Sequence, residues 1–258
     1  MPGDADARPD APVPPHRERF AVHSYEADAF GALAPPALSG WLQEAAGQHA
    51  ELLGVGIEAL QARGLGWVLS RQKLELDRPI HLGDEVEVAT WPTGADRLAA
   101  VRDFELRRGG EVVGRAVTQW IVLDLRTRRP VRLDRVLAPA LLEPRPHVLE
   151  PAGDRPPLPA GELLERRFSI RYRDIDRNLH VTNASYVAWA TEAVPQEEWR
   201  ALRLRALEVH FLAECALGSA VLSRSAPAGA DVRLHAVVRE EDGRELARLR
   251  TAWVAREG

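Results

Sequence analysis

At 258 residues, with 45% hydrophobic and 28% charged residues, the chain has the composition of a soluble globular protein and material for one large or two modest domains. A net charge of −4 argues against non-specific nucleic-acid binding, and no apolar run approaches the ~20 residues needed to cross a bilayer. The single cysteine, Cys215, excludes an internal disulfide and a cysteine-built zinc site.

Nearly all positive charge is arginine, Lys73 being the only lysine, a bias that fits a GC-rich bacterial genome. Residues 1–18, "MPGDADARPDAPVPPHRE", hold prolines and acids without the apolar stretch of a signal peptide, and read as a disordered tail on a cytoplasmic protein.

From residue 19 the chain repeats itself. Residues 19–46 align without a gap over residues 167–194, at an offset of 148. Arg19, Phe20, Asp28, Trp41, Glu44 and Ala45 meet Arg167, Phe168, Asp176, Trp189, Glu192 and Ala193. Each segment passes from a strand-like stretch through a turn into an amphipathic helix, expected over 37–53 and 184–194. Leu38, Trp41, Leu42 and Ala45 form one apolar stripe, and Tyr186, Trp189, Ala190 and Ala193 the other. Asn183 stands where an N-cap would serve the second helix.

After each helix the pattern changes to strands, near 66–78, 84–93, 97–108 and 111–124, then near 203–212, 218–225, 231–240 and 244–256. Turn signals such as "PTGAD" (92–96) and "PAGAD" (227–231) separate them. The proline-rich stretch 142–162 reads as a linker between units 19–141 and 163–258. A helix covered by a curved antiparallel sheet, twice over, is an α+β layer architecture.

Five segments taken together resemble the acyl-acyl carrier protein thioesterases of bacteria and plant plastids. They are "SGWLQEAAGQHAELLG" (39–54), "GLGWVLSRQKLELDRPIHLGDEVEVATW" (64–91), "DLRTRRPVRL" (124–133), "DIDRNLHVTNASYVAWATEAVP" (174–195) and "AEC" (213–215). The resemblance covers most of residues 18–256. It implies a tandem double hotdog fold, an active site in the C-terminal half, and a non-catalytic N-terminal half that helps form the acyl pocket. It also implies hydrolysis of acyl-carrier thioesters, ending fatty acid elongation. Asp176, Asn178, His180 and Glu214 would form the network of that site, with Cys215 beside it.

The residues support a reaction centre on their own terms. If 176–180 is extended, Asp176, Asn178 and His180 point to one side, and the helix that follows offers backbone N–H groups near residues 180–182 to an oxyanion. Phe30 and Ala32 replace Asn178 and His180 in the first copy, so the scaffold recurs without the chemistry. Two routes stay open: Cys215 as nucleophile with His180 as base, or a carboxylate, Glu214 or Asp176, activating water. A polar turn and a small buried strand cysteine are the plain alternatives.

His49 falls on the apolar stripe of the first helix. His23, His81, His210 and His235 have no metal-ligand spacing, so no metal is expected, and no cofactor beyond the phosphopantetheine arm brought by the substrate. "RTRRPVRLDR" (126–135) carries five arginines, and Arg126, Arg128, Arg129 and Arg132 would dock an acidic acyl carrier protein. Coenzyme A would suit the same patch. The competing functions are an acyl-CoA thioesterase, a hotdog dehydratase or hydratase, and a non-catalytic acyl-thioester binding module. A homodimer is also open.

Overall fold

The computed structural model describes residues 13–256 apart from Asn178. In chain order its elements are β1 (His16–Ala21), α1 (Pro35–Leu52), α2 (Ile57–Gln61), β2 (Leu65–Leu76), β3 (Glu85–Ala95), β4 (Ala99–Arg108), β5 (Glu111–Asp124) and β6 (Pro130–Val131). The second half supplies β7 (Leu164–Ser169), α3 (Asn183–Glu192), α4 (Gln196–Ala201), β8 (Leu202–Phe211), β9 (Ala220–Pro227), β10 (Val232–Arg239) and β11 (Glu245–Ala255).

All eleven strands join one antiparallel sheet, ordered β1-β3-β4-β5-β2-β8-β11-β10-β9-β7 with β6 on β5. The order reads as two five-strand halves joined where β2 pairs with β8, from Arg71 opposite His210 to Glu75 opposite Ala206. The two long helices pack against each other as well as the sheet. Leu38, Trp41 and Leu42 of α1 therefore share one core with Val187, Trp189 and Ala190 of α3. This is the tandem hotdog arrangement, with the core shared across the junction.

The 148-residue offset holds in three dimensions. Strands β1 and β7 begin and end 148 residues apart, and the bridge Ala27–Leu33 recurs as Ile175–Val181. Phe20 stacks on Trp41 at 5.0 Å between centroids, and Phe168 on Trp189 at 6.2 Å. The turns "PTGAD" and "PAGAD" are equivalent too, since Pro92 lies opposite Arg102 and Pro227 opposite Arg233. Both arginines turn inward. Arg102 reaches Thr90 Oγ1 at 3.3 Å and His49 Nδ1 at 2.9 Å; Arg233 reaches Ser225 Oγ at 3.3 Å and Glu198 at 2.6 Å. Burial pushes the Arg102 guanidinium down to about 10, still charged at neutral pH. The same burial, with Arg102 and His16 nearby, lowers His49 to about 4, so that helix position holds a neutral core imidazole.

Several boundaries differ from the sequence reading. Residues 16–18, expected within a disordered tail, pair with β3 as the start of β1; residues 1–12 lie outside the described residues. Exposure alternates along this strand because one of its faces is solvated, which lets a run of polar residues pair as a strand. Helix α1 begins two residues early because Pro35 and Pro36 fill first-turn positions that need no N–H donor. Within β8, His210 contacts Glu208 two residues back on the same strand face at 2.9 Å.

The proline-rich stretch between the halves is strapped to the sheet. Asp103, fully buried in β4, accepts from Val148 N at 2.7 Å and Thr93 Oγ1 at 3.0 Å and meets His147 Nδ1 at 3.0 Å. Arg71 donates to the carbonyls of Ala152 and Gly153, Lys73 to Glu150, and Arg248 to Pro156. Gly94, at φ 116°, lets the strap pass: a Cβ there would sit 3.0 Å from Pro144 Cα. Asp103→Ala strands three partners at once, buried Thr93 and half-buried His147 and Val148. It should cost roughly 2–4 kcal/mol in urea unfolding and open residues 147–153 to proteolysis; an unchanged denaturation midpoint would contradict the strap.

Candidate active site

Residues 175–181 form a closed turn before α3. Asp176 N donates to His180 O at 2.8 Å, Leu179 N to Asp176 O at 3.0 Å, and His180 N to Asp176 Oδ1 at 3.2 Å. The backbone at Asp176 and His180 is therefore not extended, so strand alternation does not set the display expected of these two side chains. A carboxylate able to accept from the amides just ahead of it folds the chain into a turn. Asp28 does the same in the first half, accepting from Phe30 N at 2.8 Å and Ala32 N at 2.9 Å. The shared aspartate thus closes the loop in both copies. Its presence in both was the available signal that Asp176 has a structural duty. Asn178 lies outside the described residues.

One difference separates the two turns. Gly31 adopts φ 76° at the position where the second copy has Leu179 at φ 62°. A branched side chain in left-handed backbone costs on the order of 1–2 kcal/mol, and such positions cluster at functional sites.

Helix α3 starts at Asn183 itself, one residue earlier than the sequence reading placed it. Thr182 is the N-cap, its oxygen accepting from Ser185 N, while Asn183 donates to Gln43 Oε1 of α1 at 3.0 Å. The amides of 180–182 are engaged within the protein: His180 N to Asp176, Val181 N to Cys215 O at 3.0 Å, Thr182 N to Asp174 O at 2.8 Å. Any oxyanion contact from backbone must come from the helix's first turn, one residue further on.

The segment after β8 brings the remaining candidates. Glu214 Oε2 lies 3.5 Å from His180 Nε2, both side chains being 37–38% exposed. Cys215 is 3% exposed within the core, and among the described residues no hydrogen bond joins its Sγ to His180. Glu214 Oε2 also accepts from Nη2 of Arg128, which belongs to the turn after β5 in the other half. That arginine was read from sequence as part of a docking patch. Arg132 is tied up as well, by Asp134, so Arg126 and Arg129 are the exposed remainder of the four.

Tyr186, missed by the sequence reading of the site, occupies the place of Leu38 in the first helix. It is buried against Trp189 and Phe211, and burial, with Cys215 and Glu214 nearby, pushes its phenol upward. Its hydroxyl lies beside the Cys215 backbone amide without a hydrogen bond of good geometry. The sister turn is filled differently. Phe30 sits under the Arg256 guanidinium at 4.1 Å, and Arg256 pairs with Asp28 at 3.2 Å, beside an apolar cavity of about 310 Å³.

A duplicated hotdog with one polar centre, at the start of one helix only, defines the class of protein. The sequence models of the acyl-ACP thioesterase N-terminal and C-terminal domains match residues 14–139 and 159–255. The chain belongs to the acyl-ACP thioesterase family. It is 27% identical, over 92% of its length, to a chloroplastic acyl-[acyl-carrier-protein] hydrolase of Cuphea viscosissima and to the chloroplastic palmitoyl-acyl carrier protein thioesterase of Arabidopsis thaliana. It spans 61% and 63% of those two proteins. Among solved structures, an acyl-ACP thioesterase from Bacteroides thetaiotaomicron superposes with a TM-score of 0.84 at 24% identity, covering 92% of this chain and 97% of that one. The 12:0-ACP thioesterase from Umbellularia californica gives 0.82 at 26% identity, covering 93% and 97%.

Because the ring of Tyr186 is packed and its hydroxyl finds no partner of good geometry among the described residues, Tyr186→Phe should leave the melting temperature unchanged or raised. A fall of several degrees would mean that the hydroxyl has a structural partner.

Proposed function

We propose that the chain hydrolyses the thioester between an acyl chain and the phosphopantetheine arm of acyl carrier protein, in the cytoplasm, releasing a free fatty acid and ending elongation. The His180–Glu214 pair at the start of α3, absent from the sister turn where Ala32 stands, carries this reading. Membership of the acyl-ACP thioesterase family supports it.

In the reaction Glu214 takes a proton from water, and the water oxygen bonds to the thioester carbonyl carbon. The first-turn amides of α3 and its dipole stabilise the tetrahedral oxyanion, with His180 holding the water or thioester in place. As the C–O double bond reforms, the C–S bond breaks, and the thiolate takes the proton back from Glu214. The 3.5 Å His180–Glu214 separation is of the length expected before substrate tightens such contacts. Asn178 is assigned to the same centre from its place in the turn. Asp176 acts through the turn that it closes. The burial of Cys215 and the missing bond to His180 favour water over the thiol as nucleophile.

Purified protein should release free thiol and fatty acid from acyl-carrier substrates faster than from matched acyl-CoA. His180→Ala, Asn178→Ala and Glu214→Ala should each cut kcat by roughly a hundredfold or more, while Cys215→Ser keeps substantial turnover. An enoyl product without free thiol would mean a dehydratase. A trapped acyl-enzyme on Cys215 with an active Glu214→Ala variant would overturn the water route.

A further inference from the structure

We propose that Arg128, a residue of the non-catalytic half, is a positioning residue of the hydrolytic centre, fixing the Glu214 carboxylate. The inference rests on Glu214 being the base. Arg128 grips Glu214 Oε2, the oxygen that faces His180, which leaves Oε1 for water. One carboxylate oxygen is thereby shared between a permanent cation and an imidazole from opposite halves of the chain.

The backbone under Arg128 points the same way. Among the described residues only Arg128, at φ 58°, and Leu179, at φ 62°, are non-glycines with positive φ. One lies in the turn carrying the arginine, the other beside His180, and Glu214 sits between them. The Arg128 turn is built for this conformation. Asp124 Oδ1 accepts from Arg126 N at 3.0 Å and Thr127 N at 2.7 Å, and Arg128 N donates to Asp124 O at 2.8 Å. These amides, with Arg126 nearby, hold the Asp124 carboxyl below its usual range.

A half-exposed ion pair contributes too little to stability to offset a left-handed arginine. Stability therefore does not account for the pair. Docking does not account for it either. A residue touching Glu214 lies at the thioester end of the pantetheine arm, and the arm's phosphate and the acidic carrier lie at the other end. The guanidinium holds the carboxylate aimed, beside the His180 imidazole that faces the same oxygen.

The test measures Arg128→Ala and Arg128→Lys on acyl-carrier substrate and on a short acyl-pantetheine thioester. Arg128→Ala should lower kcat about tenfold to a hundredfold on both, with little change in KM. Lysine, a point charge without the fork, should restore only part of kcat. Arg126→Ala with Arg129→Ala should change only KM for the carrier. If Arg128→Ala raises the carrier KM and leaves the pantetheine thioester untouched, Arg128 is a docking residue and the inference fails. It also fails if kcat falls together with a lowered melting temperature and Arg128→Lys restores none of it. An inactive Glu214→Ala beside a fully active Arg128→Ala sinks this inference alone, whereas an active Glu214→Ala sinks the reading beneath it.

Discussion

The pairing of β2 with β8 is the constraint on which the rest depends. Five residue pairs, Arg71–His210 to Glu75–Ala206, turn two half-sheets into one and set α1 against α3. They also bring the turn after β5 and the segment after β8 to the same place, so that a cation from one half meets a carboxylate from the other. Asn183 at the head of α3 bonding Gln43 of α1 is a second contact across the same seam. Neither half contains the centre by itself.

Around that seam the two copies keep the same load of buried polar groups but use it differently. Each has a loop-closing aspartate, a Phe–Trp stack under its helix, and an inward arginine after a proline turn. What distinguishes the second copy is a short set of substitutions on this frame, among them His180 for Ala32, Leu179 for Gly31 and Tyr186 for Leu38. Each adds a polar group or backbone strain where its sister has neither. That is the pattern expected when function is laid over a fold that is already stable without it.

The frame was legible in the sequence because its signals are local and periodic. Helical spacing of Leu38, Trp41, Leu42 and Ala45, proline and glycine turns, and the 148-residue offset all describe neighbours in the chain. The turn around Asp176 and His180 was legible as a polar cluster but not in its shape. Asp, Asn and His at alternate positions fit a strand or a turn equally well, and only the amides taken by Asp176 decide between them. Thr182 and Asn183 are adjacent residues of good capping type, so composition alone does not choose the cap. Arg128 was out of reach for a different reason. Its partner is 86 residues away, and what an exposed arginine touches depends on the closure of the whole sheet.

The strapped linker gives the molecule a further property. Separated, the halves would each end in a long unpaired strand, β2 in one and β8 in the other, with an apolar helix face beside it. Such edges recruit any strand that arrives, including another copy of themselves. Joining the halves through one short strap makes their meeting intramolecular, at an effective concentration no free partner matches. Tandem fusion thus protects the chain against mispairing during synthesis, and it fixes one dissimilar pair where free halves could also form two similar ones.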